Sequence, residues 1–204
     1  MQSLDSADPA HDMLHFRRVV ALAKQLGRIE SADLNVIVPA AWLHDLVNVR
    51  KDDPRRSQAS RLSAIEAGNF LSQIDFPSHL VPKVCHAIES HSFSAQIVAE
   101  SLEAKVVQDA DRLDGLGAIG IARCFATAGL LRRPFYSQLD PFCQERLADD
   151  ALFTVDHFYK KLFKTVQTLQ TSSGRVEGQR RIEIMKRYLS DLEHEIGGLH
   201  DTKL

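Results

Sequence analysis

Four stretches of this 204-residue chain place histidines and acids at spacings that could bind a metal ion. Imidazole and carboxylate side chains are the ligands that proteins offer to divalent cations such as Mn²⁺, Fe²⁺ and Zn²⁺. The chemistry to consider first is therefore that of a metal site. The four stretches are residues 11–18, 42–45, 86–91 and 107–114.

The second stretch contains an adjacent His44–Asp45 pair in the most apolar part of a predicted helix. Burying a carboxylate there without a partner would cost several kcal/mol. A positive group must therefore lie beside Asp45. It is either an arginine, for which Arg18 and Arg112 are candidates, or a divalent metal ion.

The fourth stretch offers two acids as a further ligand, Asp109 and Asp111. Asp109 has Lys105 four residues before it and Arg112 three residues after it, which favours a structural ion pair. Asp111 has no basic residue at these spacings and is the better ligand candidate. Two imidazoles and two carboxylates suit Mn²⁺, Mg²⁺, Fe²⁺, Co²⁺ or Zn²⁺ without choosing among them. The predicted ligand set is His15, His44, Asp45 and Asp111.

The elements that must position these residues are predicted to be helices, because apolar residues recur at helical spacing almost throughout. No stretch shows the alternation of a strand. We therefore expect an all-α fold of seven or eight helices in a single domain, residues 1–204 with a core of about 10–196. The first predicted helix ends at Gly27. The others span about 31–49, 57–71, 78–90, 101–115, 117–128, 149–170 and 176–196, and a long loop is predicted over 129–148.

Composition excludes several classes of protein. The 25 basic and 27 acidic residues give a net charge of −2, which argues against a nucleic-acid polymer as partner. No apolar run approaches the roughly 20 residues of a membrane span. The first twelve residues lack the pattern of a signal peptide, and the three cysteines form no C-x-x-C motif. We expect a cytoplasmic protein.

The histidine and acidic motifs resemble a known family. His15-x-x-Arg18, Leu43-His44-Asp45 and the run at 110–114 look like the signature of the HD-domain metal-dependent phosphohydrolases. The blocks VVQDADRLD at 106–114 and GAIGIAR at 117–123 are similar to those of small bacterial HD hydrolases with nucleoside triphosphate pyrophosphohydrolase activity. The resemblance covers about residues 10–195. A His-Asp doublet alone is a weak pattern, whereas the ordered set with the long block is specific.

The resemblance implies a single HD-type helical domain that holds one divalent ion through His15, His44, Asp45 and Asp111. It also implies hydrolysis of phosphoester or phosphoanhydride bonds in nucleotides. In several family members the third residue after the His-Asp pair is acidic and assists the attacking water, whereas here it is Asn48. Asn48 can orient a water molecule but cannot take its proton.

Further roles can be assigned, each beside a simpler alternative. The predicted catalytic residues are Asp45, Asn48 and His91. His91 could protonate the leaving oxygen or bind phosphate, or it could cap its helix. The predicted substrate-binding residues are Arg18, Lys51, Arg56, Asp114 and His157.

Among these residues, Arg18 suits binding of a substrate phosphate, or a position as the partner of a ligand carboxylate. Lys51 and Arg56 suit a phosphate clamp or a solvated face. Asp114 suits a ribose hydroxyl or an acceptor behind a ligand. His157 suits a pocket wall or a packed core position.

Three functions are compatible with the sequence. The first is a nucleoside triphosphate pyrophosphohydrolase. The second uses the same metal site to hydrolyse a different phosphate bond, as in a nucleotide phosphomonoesterase or a signalling-nucleotide hydrolase. The third is a non-catalytic nucleotide-sensing helical module. The apolar stripe of the last helix would also allow a homodimer.

Overall fold

The computed structural model describes residues 13–47, 49 and 53–197. Within these ranges it contains eight α-helices and no strand, which confirms the all-α prediction. Short 3₁₀ or π segments cover Pro54–Gln58, Phe93–Ala95, Phe158–Leu162 and Val166–Thr168. The α-helices are α1 (Met13–Ile29), α2 (Leu34–Leu43), α3 (Ala59–Gln73), α4 (Val81–His91), α5 (Leu102–Asp114), α6 (Gly117–Leu130), α7 (Phe163–Thr165) and α8 (Ser172–Gly197).

The chain divides into two compact units. The first comprises Met1–Asp114 and Leu169–Arg175, and the second comprises Gly115–Thr168 and Val176–Leu204. The single domain expected from the sequence stays a prediction.

The first unit is built around α1, α2, α4 and α5, with α3 packed on α4. The apolar stripe predicted for α1 is buried, since Val19, Ala23 and Leu26 are at most 1% exposed. Most of α5 is buried as well, including Asp109 and Asp114. Burial of α5 brings Asp111 and Asp114 beside His15 of α1, and Asp111 beside His44, which follows α2.

The end of α1 corrects one prediction from the sequence. Gly27 does not stop the helix, which continues to Ile29 before Ser31 adopts a positive φ of 59°. Gly27 instead allows close packing of α2, because a Cβ there would lie 2.7 Å from Ile37 Cδ1. Asp33 caps α2, with its carboxylate accepting from the Asn35 amide.

The end of α2 lies earlier than the predicted residue 49. The helix passes through Pro39 without a break and stops at Leu43. His44 follows it and donates from Nδ1 to the carbonyl of Ala41 at 2.9 Å. The amide of Val47 donates to Ser63 Oγ at 3.1 Å, which ties the segment to α3. The His44–Asp45 doublet therefore lies on a turn rather than inside a helix.

The second unit differs most from the prediction. The irregular segment extends past 148 to residue 155, where a helix was expected from about 149. A buried carboxylate organises this segment, because Asp156 accepts hydrogen bonds from Nη1 and Nη2 of Arg146 at 2.5 and 2.7 Å. The predicted 149–170 helix is reduced to short π, α and 3₁₀ segments over 158–168.

No single helix in the described ranges is long and apolar enough to cross a membrane. The α5–α6 pair reaches the required length and hydropathy only when the two helices are taken together across their break.

Candidate metal centre

Three ligand atoms from separate elements converge within the first unit. His15 Nε2 on α1 lies 3.3 Å from His44 Nε2, on the turn after α2. Asp111 Oδ1 on α5 lies 3.6 Å from the first of these nitrogens and 3.8 Å from the second. Ligands that each bind one ion at 2.0–2.2 Å can be no more than about 4.4 Å apart. All three pairs meet this limit, so these residues could hold a single ion.

Hydrogen bonds behind the two imidazoles orient them for this purpose. His15 Nδ1 donates to Asp114 Oδ2 at 2.8 Å, and His44 Nδ1 donates to the Ala41 carbonyl. The Nε2 atom of each neutral ring therefore carries a lone pair. Two facing lone pairs repel each other and call for a cation between them. The donor set thus fits a divalent metal.

Burial keeps His44 in the form that a metal needs. The side chain is fully buried, and this burial lowers its pKa, helped by the nearby His91 and His15. The carboxylates of Asp45 and Asp111 oppose the shift without reversing it. A neutral imidazole is the metal-binding form of histidine.

Asp45 connects this cluster to His91. One carboxylate oxygen lies 3.6 Å from His44 Nε2, and the other lies 3.5 Å from His91 Nε2. His91 is buried, and its Nδ1 donates to the Ile88 carbonyl at 2.6 Å. Burial alone would lower the pKa of His91, but the hydrogen bond and charge of Asp45, together with Asp111, raise it.

His44, Asp45 and His91 form a second group that could hold an ion. Sequence reasoning missed this membership of His91, for which it considered a role toward substrate or as a cap of its helix. Both groups need Nε2 of His44, whose Nδ1 is committed to the Ala41 carbonyl. The two groups therefore cannot both hold an ion through His44 at the same time.

Asp114 and Arg18 lie behind the cluster. The carboxylate of Asp114 is 3% exposed and accepts from His15. It also accepts from Arg18 Nε at 2.7 Å and from Arg18 Nη2 at 3.1 Å. For Arg18 and Asp114, these hydrogen bonds favour a supporting role behind the metal ligands over the predicted contact with substrate.

Asp109 is held away from the ligand atoms, as its position on the helix predicted. It is fully buried and accepts from the amides of Gln170 and Thr171 and from the Thr171 hydroxyl. Burial raises its pKa, against the effect of these hydrogen bonds. Its hydrogen-bond partners are therefore chain atoms distant in sequence, while Arg112, one of the two predicted local cations, also interacts with it electrostatically. The same contacts let α8 begin at Ser172 instead of the predicted 176.

The remaining predicted site residues make other contacts or lie outside the described ranges. Arg56 Nη1 donates to the Val49 carbonyl at 2.6 Å, so it supports the backbone after the doublet. Asn48 and Lys51 lie outside the described residues. His157 belongs to the second unit, where Nδ1 pairs with Asp150 Oδ2 at 2.8 Å and burial lowers its pKa.

Comparison with known proteins identifies the family. Residues 13–116 match the model of the HD domain. The curated protein YpgQ of Bacillus subtilis, named as uncharacterized, is 32% identical over 200 residues, covering 96% of this chain and 89% of its own.

Solved structures agree with this match. The crystal structure of Bacillus subtilis YpgQ in complex with ADP superposes with a TM-score of 0.73 at 35% identity, covering 94% of this chain and 89% of that one. An HD-superfamily hydrolase from Bacillus thuringiensis gives a TM-score of 0.72 at 29% identity, covering 92% and 87%. The chain therefore belongs to the HD-domain family, and its fold and hydrolase relatives support a metal-dependent hydrolase.

Proposed function

We propose that this protein hydrolyses nucleoside triphosphates to nucleoside monophosphates and pyrophosphate, with one divalent cation held by His15, His44, Asp45 and Asp111. The observation that carries the proposal is the pair of imidazole Nε2 atoms 3.3 Å apart beside the Asp111 carboxylate. A bound divalent ion lowers the pKa of water and offsets the negative charge of phosphate.

The chain's own residues supply the rest of the chemistry. Asp45 favours the protonated form of His91, whose Nδ1 is already committed to Ile88. The proton on Nε2 of His91 can then donate to a phosphate oxygen or to the leaving pyrophosphate. In this role His91 binds and stabilises negative charge beside the metal ligands.

A nucleotide is the proposed substrate class for two reasons. Bacillus subtilis YpgQ was solved with ADP, and this chain matches it over nearly its full length. A divalent ion held by the ligand cluster, together with His91 beside it, would also offset the negative charge of a polyphosphate. Water orientation by Asn48, phosphate contacts from Lys51 and Arg56, and a substrate contact from His157 stay predictions.

A product-resolved assay tests this function. Purified protein loaded with Mn²⁺, Mg²⁺, Co²⁺ or Fe²⁺ is incubated with nucleoside triphosphates and monophosphates, and the products are separated by ion exchange. We expect equal amounts of nucleoside monophosphate and pyrophosphate. Asp111→Asn should abolish the reaction, whereas Asp191→Asn, which alters an exposed acid on α8, should retain it.

Two results would overturn the proposal. Release of orthophosphate alone would indicate a phosphomonoesterase. Binding of nucleotide without any product, across all four metals, would indicate a sensing module.

A further inference from the structure

The last turn of α4 is fixed by two side chains. Carbonyl groups at the end of a helix have no partner within the helix and need one from elsewhere. The Ile88 carbonyl accepts from His91 Nδ1, and the Ser90 carbonyl accepts from Gln108 Nε2 at 2.7 Å. The residue just before His91 is therefore held by a side chain of α5.

Gln108 uses both ends of its amide. It is 3% exposed, and its Oε1 accepts from the side-chain amide of Gln170. Gln170 is held a second time, because its backbone amide donates to Asp109 at 2.9 Å. A buried amide with both ends occupied is costly to replace by a group that cannot form these bonds.

The position of Gln108 on α5 connects it to the metal centre. It lies three residues before Asp111, so the two side chains project from neighbouring positions on one helix face. One face of α5 thus carries a predicted metal ligand and also holds the end of α4 that carries His91.

We infer that Gln108 is a positioning residue that fixes His91 relative to Asp111 through the Ser90 carbonyl. This inference rests on the proposed function where it concerns catalysis. Its structural part, the immobilisation of His91, stands without it.

Two variants separate the bonds of Gln108. Gln108→Met keeps the length of the side chain and removes both bonds, whereas Gln170→Leu removes only the outer bond. We expect Gln108→Met to lower kcat by about 10- to 100-fold, the usual effect of losing a partner behind a functional group. Gln170→Leu should stay near the wild-type rate. The affinity for Mn²⁺ should be unchanged in both, because the ligand residues are intact.

A double-variant test shows whether the effect passes through His91. In a His91→Gln background, Gln108→Met should cause no further loss of kcat. An equal loss in both backgrounds, or a wild-type rate for Gln108→Met, would overturn the inference. If Gln108→Met does not fold, Gln108→Asn keeps the amide but shortens its reach, and the same comparison applies.

A second readout does not depend on activity. The proton on Nδ1 of His91, assigned in ¹⁵N-histidine NMR spectra by its loss in His91→Gln, should exchange with solvent at least tenfold faster in Gln108→Met. Unchanged exchange would overturn the inference even if the wild-type protein hydrolyses nucleotides. Faster exchange in a protein that releases no product would support it while the proposed function fails.

Discussion

Replacing Asp114 by asparagine should weaken metal binding although Asp114 is not a ligand. Its carboxylate accepts from His15 Nδ1 through Oδ2 and from Arg18 Nε through Oδ1. An asparagine offers a single oxygen, and arginine can only donate. If that oxygen stays with Arg18, the new amide donates to His15 Nδ1, and the histidine proton must move to Nε2. The lone pair that faces the ion is then lost.

The expected size of the effect follows from similar partners behind metal ligands. Their loss costs about 10- to 100-fold in metal affinity, or about 1.4 to 2.7 kcal/mol at 1.36 kcal/mol per tenfold change. The assay is titration of Mn²⁺ followed by the EPR signal of the free ion. Arg18→Met is the matched control, because it leaves Asp114 free to accept from His15.

The control should bind Mn²⁺ within about threefold of the wild type, since its His15–Asp114 hydrogen bond remains. The reasoning is refuted if Asp114→Asn binds Mn²⁺ as tightly as the wild type. It is also refuted if Arg18→Met weakens binding as much as Asp114→Asn does.

Three further predictions follow from individual side-chain contacts. Asp109→Asn should lower the free energy of unfolding in urea by about 1–3 kcal/mol, because an amide would face backbone donors. Its Mn²⁺ content should persist, whereas Asp111→Asn should lose the ion and keep its stability. The reverse pattern would refute the assignment of Asp111 as the metal ligand and Asp109 as the structural acid. Gly174→Ala should cost about 1–3 kcal/mol in the same experiment, because its methyl group would meet the Asp109 carboxylate; equal stability would contradict this. Arg180 and Arg181 lower the pKa of Glu177 from 4.5 to about 2. The stability advantage over Glu177→Gln should therefore be complete above about pH 4.5 and disappear as the pH falls toward 2, and a pH-independent difference in urea unfolding would count against it.

The sequence was sufficient to predict most of the helices and to name the ligand candidates. Apolar spacing predicted α1, α5 and α6 to within a few residues. The absence of a local cation near Asp111 separated it from Asp109, and the structure brings Asp111 to the histidines.

The features that the sequence did not predict depend on contacts between distant residues. Gly27 is a typical helix stop, yet packing against Ile37 gives it another role. The segment after α2 is held by Ser63 on α3, which accepts from the Val47 amide. No local pattern encodes such pairings, because each partner lies on another element.

The same limit applies to His91 and Gln108. The spacing of α4 shows that His91 ends a helix, but not that Asp45 lies 3.5 Å away. Gln108 lies in the long motif block without a charge or a metal-binding group to mark it. Its role becomes visible only when α4 and α5 pack together.

Anomalous diffraction from crystals soaked in MnCl₂ shows directly whether these side chains hold a divalent ion. We predict one manganese peak per chain, about 2.2 Å from His15 Nε2, His44 Nε2 and a carboxylate oxygen of Asp111. A manganese peak elsewhere, with these three side chains unchanged and bonded to one another or to an arginine, would contradict it.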